Sequence, residues 1–222
     1  MAPDEIEADL RAAGLRLRGG FCPGARELVD TLGQPVRTVL LVGNVGSEIW
    51  APFSAARKTI PPDERDPMNW WIERTVGAIA ERANARVVFT HHGPPFHPFL
   101  SWAARSEPVH PSPLGIFIHP RYGLWHAYRA AFLFDEVLAL PPQAPEPSPC
   151  ATCVAQPCRS ACPFPEVALV DNHVAGCMAR EPSPCLAEGC AARRACPVGC
   201  EFQYAPPHMR FHMEAFLASM QR

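Results

Sequence analysis

The first 140 residues alternate between segments of helical and of strand-like hydrophobic spacing. The stretch "DEIEADLRAAG" predicts a short helix that ends at Gly14, and the β-branched run "VRTVLLVG" (36–43) predicts a buried strand. In "DPMNWWIERTVGAIAERANA", Asp66 is suited to cap a helix and Pro67 to occupy its first position. The apolar residues on one face of that helix are Ile72, Val76, Ile79 and Ala83. We therefore predict a helix there, followed by a strand in "RVVFT".

The later segments continue this mixed pattern. "LGIFIHP" and "LWHAYRAAFLF" predict two strands joined through "RYG" as a hairpin, and the C-terminal "PPHMRFHMEAFLASMQR" predicts a helix. Between them, "PPQAPEPSP" holds five prolines in nine residues, which predicts a stiff, extended spacer. We expect an α+β fold with a sheet-and-helix domain at 1–140, a proline-rich linker at 141–149 and a small cysteine-rich domain at 150–222.

Charge and apolar content exclude several classes of partner. A formal net charge of −2 offers no basic field, so we expect no nucleic-acid partner. No stretch approaches the ~20 continuous apolar residues that span a bilayer, and the acidic start "MAPDEIEADL" does not resemble a signal peptide. We expect a cytoplasmic protein with no membrane partner, in a compartment where thiols stay reduced.

The cysteines are concentrated in the last third of the chain. Nine of the ten lie between Cys150 and Cys200, and the stretch "EPSPCATCVAQPCRSACP" from Glu146 is echoed by "EPSPCLAEGCAARRACP" from Glu181. The first copy, Cys-x2-Cys-x4-Cys-x3-Cys-Pro, is close to the bacterial ferredoxin run, with two extra residues before its third cysteine. This spacing favours iron–sulfur clusters, because one such loop surrounds three irons and sends the cysteine before proline to the other cluster.

The duplication predicts two four-iron clusters with exchanged ligands. One ligand set is Cys150, Cys153, Cys158 and Cys196. The other is Cys162, Cys177, Cys185 and Cys190. Zinc is the first alternative, although it usually uses two Cys-x2-Cys pairs and this chain has only one; disulfides are the second. Cys200 is either spare or replaces Cys196 as ligand, and we expect Cys22 to be an ordinary buried thiol.

The segment "SPLGIFIHPRYGLWHAYRAAFLFDEVLALPP" (112–142) resembles the core of the CblC (MMACHC-like) cobalamin-processing family. In that family a similar Ile-His-Pro-Arg-aromatic-Gly-x-Trp stretch leads into a strand that carries an arginine. The strand, the proline spacer and the cysteine run together also resemble epoxyqueuosine reductase and, more distantly, the reductive dehalogenases. The chain as a whole resembles small bacterial proteins described as ferredoxins. The resemblance implies a nitroreductase-like (CblC-like) domain followed by a ferredoxin-like module.

The same resemblance implies a cofactor site on the N-terminal domain. Arg129 matches the strand arginine that lines the cofactor site of CblC proteins, and Trp125, His119 and Arg121 match the motif before it. The implied cofactor is a cobalamin or, less directly, a flavin. The chain has no counterpart of the general-acid aspartate of epoxyqueuosine reductase, so we do not expect tRNA modification.

The residues themselves leave structural alternatives open for this site. Arg129 needs an anionic or amide partner, which Asp135 or Glu136 would supply without any cofactor. Trp125 would serve equally well as core, and His119 as a turn residue bonded to the backbone. The loop "HHGPPFHPF" adds His91, His92 and His97, which either are solvated, or line a pocket, or bind a metal.

These predictions favour an iron–sulfur redox protein. A redox partner protein would supply electrons, and the two clusters would pass them to a corrinoid on the N-terminal domain, reducing it or removing its upper ligand. Such a protein would be a cobalamin-linked oxidoreductase. The alternatives are a plain ferredoxin-type carrier that docks a partner enzyme without a cofactor of its own, and a zinc-binding interaction module.

Overall fold

The computed structural model describes residues 3–24, 27–28, 33–163 and 184–220. The chain forms two compact units: unit 1 comprises residues 1–108 and 126–145, and unit 2 comprises residues 109–125 and 146–222. The segment 109–125 therefore belongs to the cysteine-rich unit, whereas the sequence placed it in the N-terminal domain. Within the part of the chain that the structure describes, no helix is long and apolar enough to span a bilayer.

Unit 1 is built on a four-stranded antiparallel sheet. Its strands are β1 (Arg16–Phe21), β2 (Thr38–Val45), β3 (Arg86–Phe89) and β6 (His126–Phe134), in the spatial order β1-β2-β6-β3. Every residue of β2 is buried, as expected for an inner strand of this sheet, and this includes the polar Thr38 and Asn44 beside the predicted apolar run. The strands predicted at 36–43 and in "RVVFT" are confirmed.

Four helices accompany this sheet. They are α1 (Pro3–Ala12), α2 (Trp50–Ala56, continued by a 3-10 turn at Arg57–Thr59), α3 (Pro67–Arg82) and α4 (Phe99–Ser106). Helix α3 confirms the predicted helix, and its predicted apolar face is buried at Ile72, Val76 and Ile79. It packs on β3 and β6, while α4 packs on β1. Burial of these apolar faces against the sheet is the main source of stability for unit 1.

Unit 2 contains a small two-stranded sheet and a series of short helices. Strand β4 (His110–Pro111) pairs with β5 (Phe117–Ile118). The helices are α5 (Pro149–Thr152), α6 (Pro157–Ser160), α7 (Pro184–Glu188), α8 (Ala191–Arg194), a 3-10 turn (Cys200–Phe202) and α9 (Pro206–Met220). Helix α9 confirms the predicted C-terminal helix, and it packs on α7.

The predicted hairpin through "RYG" is wrong. Strand β5 pairs with β4 and not with β6. Residues 120–122 lie in a tight turn closed by an isolated bridge between His119 and Gly123. Strand β6 begins at His126 and has β2 on one edge and β3 on the other. Because both edges of β6 are occupied, no edge is left for a hairpin partner.

Gly123 is required by a close backbone approach inside unit 2. Its φ is +56°, and a Cβ there would collide with the main-chain oxygen of Val198, next to the Cys196–Pro197 turn. We expect Gly123→Ala to lower the free energy of unfolding by about 1–3 kcal/mol or more, from strain and collision together.

Gly77 provides the matched control for this substitution. It lies inside helix α3 with no atom within 4 Å of the position of its Cβ, so Gly77→Ala should raise stability by about 0.5–1 kcal/mol. Urea unfolding followed by circular dichroism measures both variants. A Gly123→Ala protein as stable as the wild type would contradict the close approach.

Candidate functional site

Four cysteines of unit 2 line one cavity. Cys150 lies in α5, Cys153 directly follows that helix, Cys158 lies in α6 and Cys196 follows α8. Apolar residues complete the wall, among them Ile118 and Val198, which pack against Cys196. The structure thus brings together three cysteines of the first sequence copy and one cysteine of the second.

The local sequence explains why three of these sulfurs converge. Pro149 and Pro157 each stand in the first turn of a four-residue helix, where a missing backbone N–H costs nothing. Between the two helices Gln156 adopts a left-handed conformation with φ of 38°, which reverses the chain. The chain therefore surrounds the cavity instead of running past it, so cysteines eight positions apart in the sequence face the same space.

Burial and mutual repulsion act on the cavity thiols. Burial, and then the neighbouring charges of Cys158 and Cys153, raise the pKa of Cys150. Burial likewise raises the pKa of Cys196, with smaller contributions from Cys158, Cys150 and Cys153. Without a metal these groups are therefore held as neutral thiols, and a bound metal would take them as thiolates. Four cysteine sulfurs that line one cavity fit the donor set of a metal centre.

A second group of cysteines lies elsewhere in unit 2. Burial raises the pKa of Cys190, and the charges of Cys185 and Cys162 raise it further, so these three thiols are electrostatic neighbours. Helices α6 and α8, next to which Cys162 and Cys190 stand, pack on each other. Cys177, the predicted fourth member, lies outside the described residues.

The remaining cysteines have different surroundings. The exposed Cys200 donates its S–H to the main-chain oxygens of Cys196 and Pro197, at 3.4 and 3.3 Å. Cys22 is exposed, so the prediction of a buried thiol is wrong: Phe21 before it is buried and the alternation turns Cys22 outward. The nine cysteines that the structure describes are all free thiols in it.

Arg129, the predicted cofactor-binding arginine, lies half-buried in strand β6 of unit 1. Its Nε donates to the side-chain oxygen of Asn44 on β2 at 3.0 Å, whereas Asp135 is paired with Arg86. This hydrogen bond goes to a neutral amide on the neighbouring strand, a residue that the sequence had not offered as a partner. A guanidinium carries five N–H donors in a planar fork, which suits the binding of amide or anionic groups.

Beside Arg129 lies a buried ion pair that sequence reasoning missed. Arg18 on β1 and Glu107 after α4 are only 2 % and 8 % exposed, and two hydrogen bonds of 2.6 Å join the guanidinium to both carboxylate oxygens. Arg18 also donates to the main-chain oxygen of Asn44 at 3.3 Å and lies 3.3 Å from His126 Nδ1. Asn44 therefore joins the buried pair to Arg129.

Tyr128 closes this network. The Arg18 guanidinium lies 5.1 Å from the centre of its ring, and burial, with the negative charge of Glu107 as a second cause, raises the pKa of the Tyr128 hydroxyl. The phenol therefore stays neutral at any physiological pH. One sign of this buried pair is visible in the sequence, the arginine in the middle of the strand "RLRGGF". Its partner Glu107 lies 89 positions away, so no local pattern linked the two residues.

The other three predicted cofactor residues lie in unit 2. Trp125 is 1 % exposed, and the Arg193 guanidinium lies 4.6 Å from its ring centre, so the structure gives Trp125 a core role. His119 Nδ1 accepts the main-chain N–H groups of Arg121 and Tyr122 at 3.0 and 3.3 Å, which is the turn role left open above. The side chain of Arg121 is exposed and lies over the Tyr122 ring.

The geometry defines a mixed helix-and-sheet protein with a cysteine-lined cavity in its second unit. Its fold is similar to that of the C. elegans B12-trafficking protein CblC, a human MMACHC homologue, with a TM-score of 0.50 and 11 % identity over 96 % of this chain and 95 % of that chain. No family model and no curated protein matches the sequence. The likeness confirms the CblC-like fold that the sequence predicted; the ferredoxin-like arrangement of residues 150–222 stays a prediction.

Proposed function

We propose that this chain is an iron–sulfur redox protein whose unit 2 holds two four-iron clusters and whose unit 1 binds a corrinoid that accepts their electrons. The first cluster would be held by the cavity cysteines, Cys150, Cys153, Cys158 and Cys196. The second would be held by Cys162, Cys185 and Cys190, with Cys177 as its fourth ligand. A redox partner protein would supply single electrons, which the clusters store and pass on.

The observation that carries this proposal is the cavity lined by four cysteines from both sequence copies. A four-iron cluster takes four thiolates, and the ferredoxin spacing draws three from one loop and one from elsewhere. The cavity has this composition: three cysteines come from residues 150–158 and the fourth comes from 196, directly before a proline.

The spacing of the cysteines along the chain favours a cluster over zinc. Zinc sites made of cysteines usually use two Cys-x2-Cys pairs. This chain has one such pair, Cys150 and Cys153, and the run that begins with it ends in the Cys-Pro pair typical of ferredoxin loops.

The corrinoid part of the proposal is supported by the CblC-like fold and by Arg129. A bound corrinoid supplies a cobalt whose upper ligand is lost or exchanged on reduction. Arg129, positioned on β6 by the hydrogen bond from its Nε to Asn44, would donate hydrogen bonds to the side-chain amides of the corrinoid. The buried Arg18–Glu107 pair would hold Asn44, and through it Arg129, in place.

One observation favours a second candidate, the plain electron carrier. Of the four residues that the resemblance assigned to the cofactor, only Arg129 lies in unit 1, while Trp125 and His119 serve the packing and turns of unit 2. A carrier would keep the two clusters and use unit 1 to dock its partner enzyme.

A cobalamin titration of the full chain separates these two functions. If unit 1 binds a corrinoid, adding cobalamin to the anaerobically purified protein should change its visible spectrum and give saturable binding. Arg129→Met should weaken that binding roughly 10- to 100-fold, because a hydrogen bond from a charged group is worth about 1.5–3 kcal/mol. Binding should be unchanged in Arg82→Met, which alters an exposed arginine of α3 that pairs with Asp9. An unchanged spectrum with no measurable binding would reject the corrinoid and leave the carrier.

A further inference from the structure

Unit 1 contains a second group of metal-ligand side chains, with no cysteine in it. His91 Nε2 lies 2.6 Å and His92 Nε2 3.0 Å from the same oxygen of Glu73, Oε1. One ligand atom from each residue lies within 4.8 Å of the other two. His97, the third histidine of that loop, lies outside the group, and its ring packs 5.6 Å from that of Trp102. The structure thus singles out two of the three loop histidines and joins them to a helix carboxylate.

The helix, turn and strand that run from α3 to β3 bring Glu73, His91 and His92 together. Helix α3 ends at Arg82, Asn84 reverses the chain with a φ of 51°, and β3 returns along the helix, on which it packs. The nine residues from Glu73 to Arg82 rise about 13–14 Å along the helix. The five or six residues from Arg86 to His91 or His92 cover about 17–20 Å in extended chain. The returning chain is thus long enough to bring the two histidines beside Glu73 along the axis of α3.

The chemistry of the three donors selects the class of ion. Two imidazole nitrogens and one carboxylate oxygen suit divalent first-row transition ions such as Zn²⁺, Co²⁺ or Fe²⁺, whereas Mg²⁺ and Ca²⁺ prefer oxygen ligands alone. Three protein ligands leave at least one coordination position for water or a small ligand. The partial exposure of Glu73 and His92 gives an ion access from solvent.

We infer that Glu73, His91 and His92 form a mononuclear site for a divalent transition ion of the zinc class. On loading, both Nε2 atoms give up their hydrogen bonds to Glu73 and donate a lone pair to the ion, and the carboxylate supplies the third bond. A doubly protonated ring releases its Nε2 proton to solvent, whereas a neutral ring protonated on Nε2 exchanges that proton through solvent for one on Nδ1, so that both rings bind as neutral imidazoles. The site is independent of the proposed clusters, because its ligands include no cysteine and all belong to unit 1.

An anaerobic Co²⁺ titration of the full chain tests this site, with four proteins compared. They are the wild type, Glu73→Gln, His92→Gln and the control Glu81→Gln, which makes the same charge change on an exposed position of the same helix. All four proteins carry the same cysteines, so the intense sulfur-to-cobalt bands are common to them. A site of two nitrogens and one oxygen adds only weak ligand-field bands.

The wild type and Glu81→Gln should show these bands and one more bound Co²⁺ per chain than Glu73→Gln and His92→Gln, whose affinity should fall by more than about 10-fold. Zn²⁺ should also shift the ring ¹H–¹⁵N signals of His91 and His92 in the wild type. His92→Gln is the variant least expected to disturb folding, because this side chain is about half exposed, and its circular dichroism should match that of the wild type. Equal Co²⁺ counts and spectra in all four proteins would overturn the site and leave Glu73 as a hydrogen-bond partner of the loop.

Discussion

Replacing Cys196 with serine should remove one of the two proposed clusters, whereas replacing Cys200 should leave both in place. The sequence left open which of these cysteines is the ligand, and the structure distinguishes them. Cys196 is buried on the cavity wall, while Cys200 is exposed with its S–H directed at main-chain oxygens. A cluster that loses one of four thiolates is expected to disassemble, because serine is a poor replacement for a soft ligand.

The measurement is iron and labile sulfide per chain after anaerobic reconstitution, together with the visible absorbance. We expect about eight irons in the wild type and in Cys200→Ser, and about four in Cys196→Ser. Unit 2 should also lose thermal stability in Cys196→Ser, since bound metal contributes to folding free energy in small cysteine-rich units. A colourless wild-type protein that takes up zinc instead would reject the clusters. If Cys196→Ser and Cys200→Ser lose the same amount of iron, the assignment of Cys196 rather than Cys200 as the cluster ligand is rejected.

Substituting Glu107 with leucine should destabilise unit 1 by about 3–5 kcal/mol, because it leaves the buried Arg18 guanidinium without its carboxylate. The cost comes from an uncompensated charge and not from lost packing. The double variant Arg18→Met with Glu107→Leu should therefore recover most of the lost stability, since it removes both charges from the interior. Urea unfolding followed by circular dichroism measures all three proteins.

The exposed pair between Arg82 and Asp9 is the matched control. Both of its side chains are about half exposed, so Asp9→Asn should cost less than about 1 kcal/mol. If Glu107→Leu costs no more than Asp9→Asn, the pair is not buried as described. If the double variant is as unstable as the single one, lost packing rather than charge accounts for the effect.

Local patterns predicted the elements whose causes lie within a short stretch of chain. Helix α3 has its proline at the first position and its apolar face within 16 residues, and β2 contains the unbroken apolar run 39–43. Both were predicted because propensity and periodicity are local quantities. The "RYG" hairpin was predicted from equally local signals and is wrong, because strand pairing depends on which edges remain open in the assembled sheet.

Sites assembled from distant residues were predicted only in part. The cysteine spacing identified candidate metal ligands, since the ferredoxin run is itself a local motif. Nothing local connected Arg18 to Glu107, Arg129 to Asn44, or Glu73 to His91. For Arg129 the sequence offered the carboxylates of Asp135 and Glu136, a few positions away, whereas its Nε donates to Asn44 on a neighbouring strand.

The amino-acid sequence by itself therefore determined the helices and strands with strong periodicity, the mixed helix-and-sheet class, and the supply of thiols concentrated after the proline-rich segment. Only the tertiary structure decided that residues 109–125 belong with the cysteines, that Cys196 and not Cys200 lines the cavity, and that two arginines share Asn44. The physical reason is that backbone preference and amphipathicity act over a few residues. Contacts between distant segments depend instead on how the folded chain returns on itself.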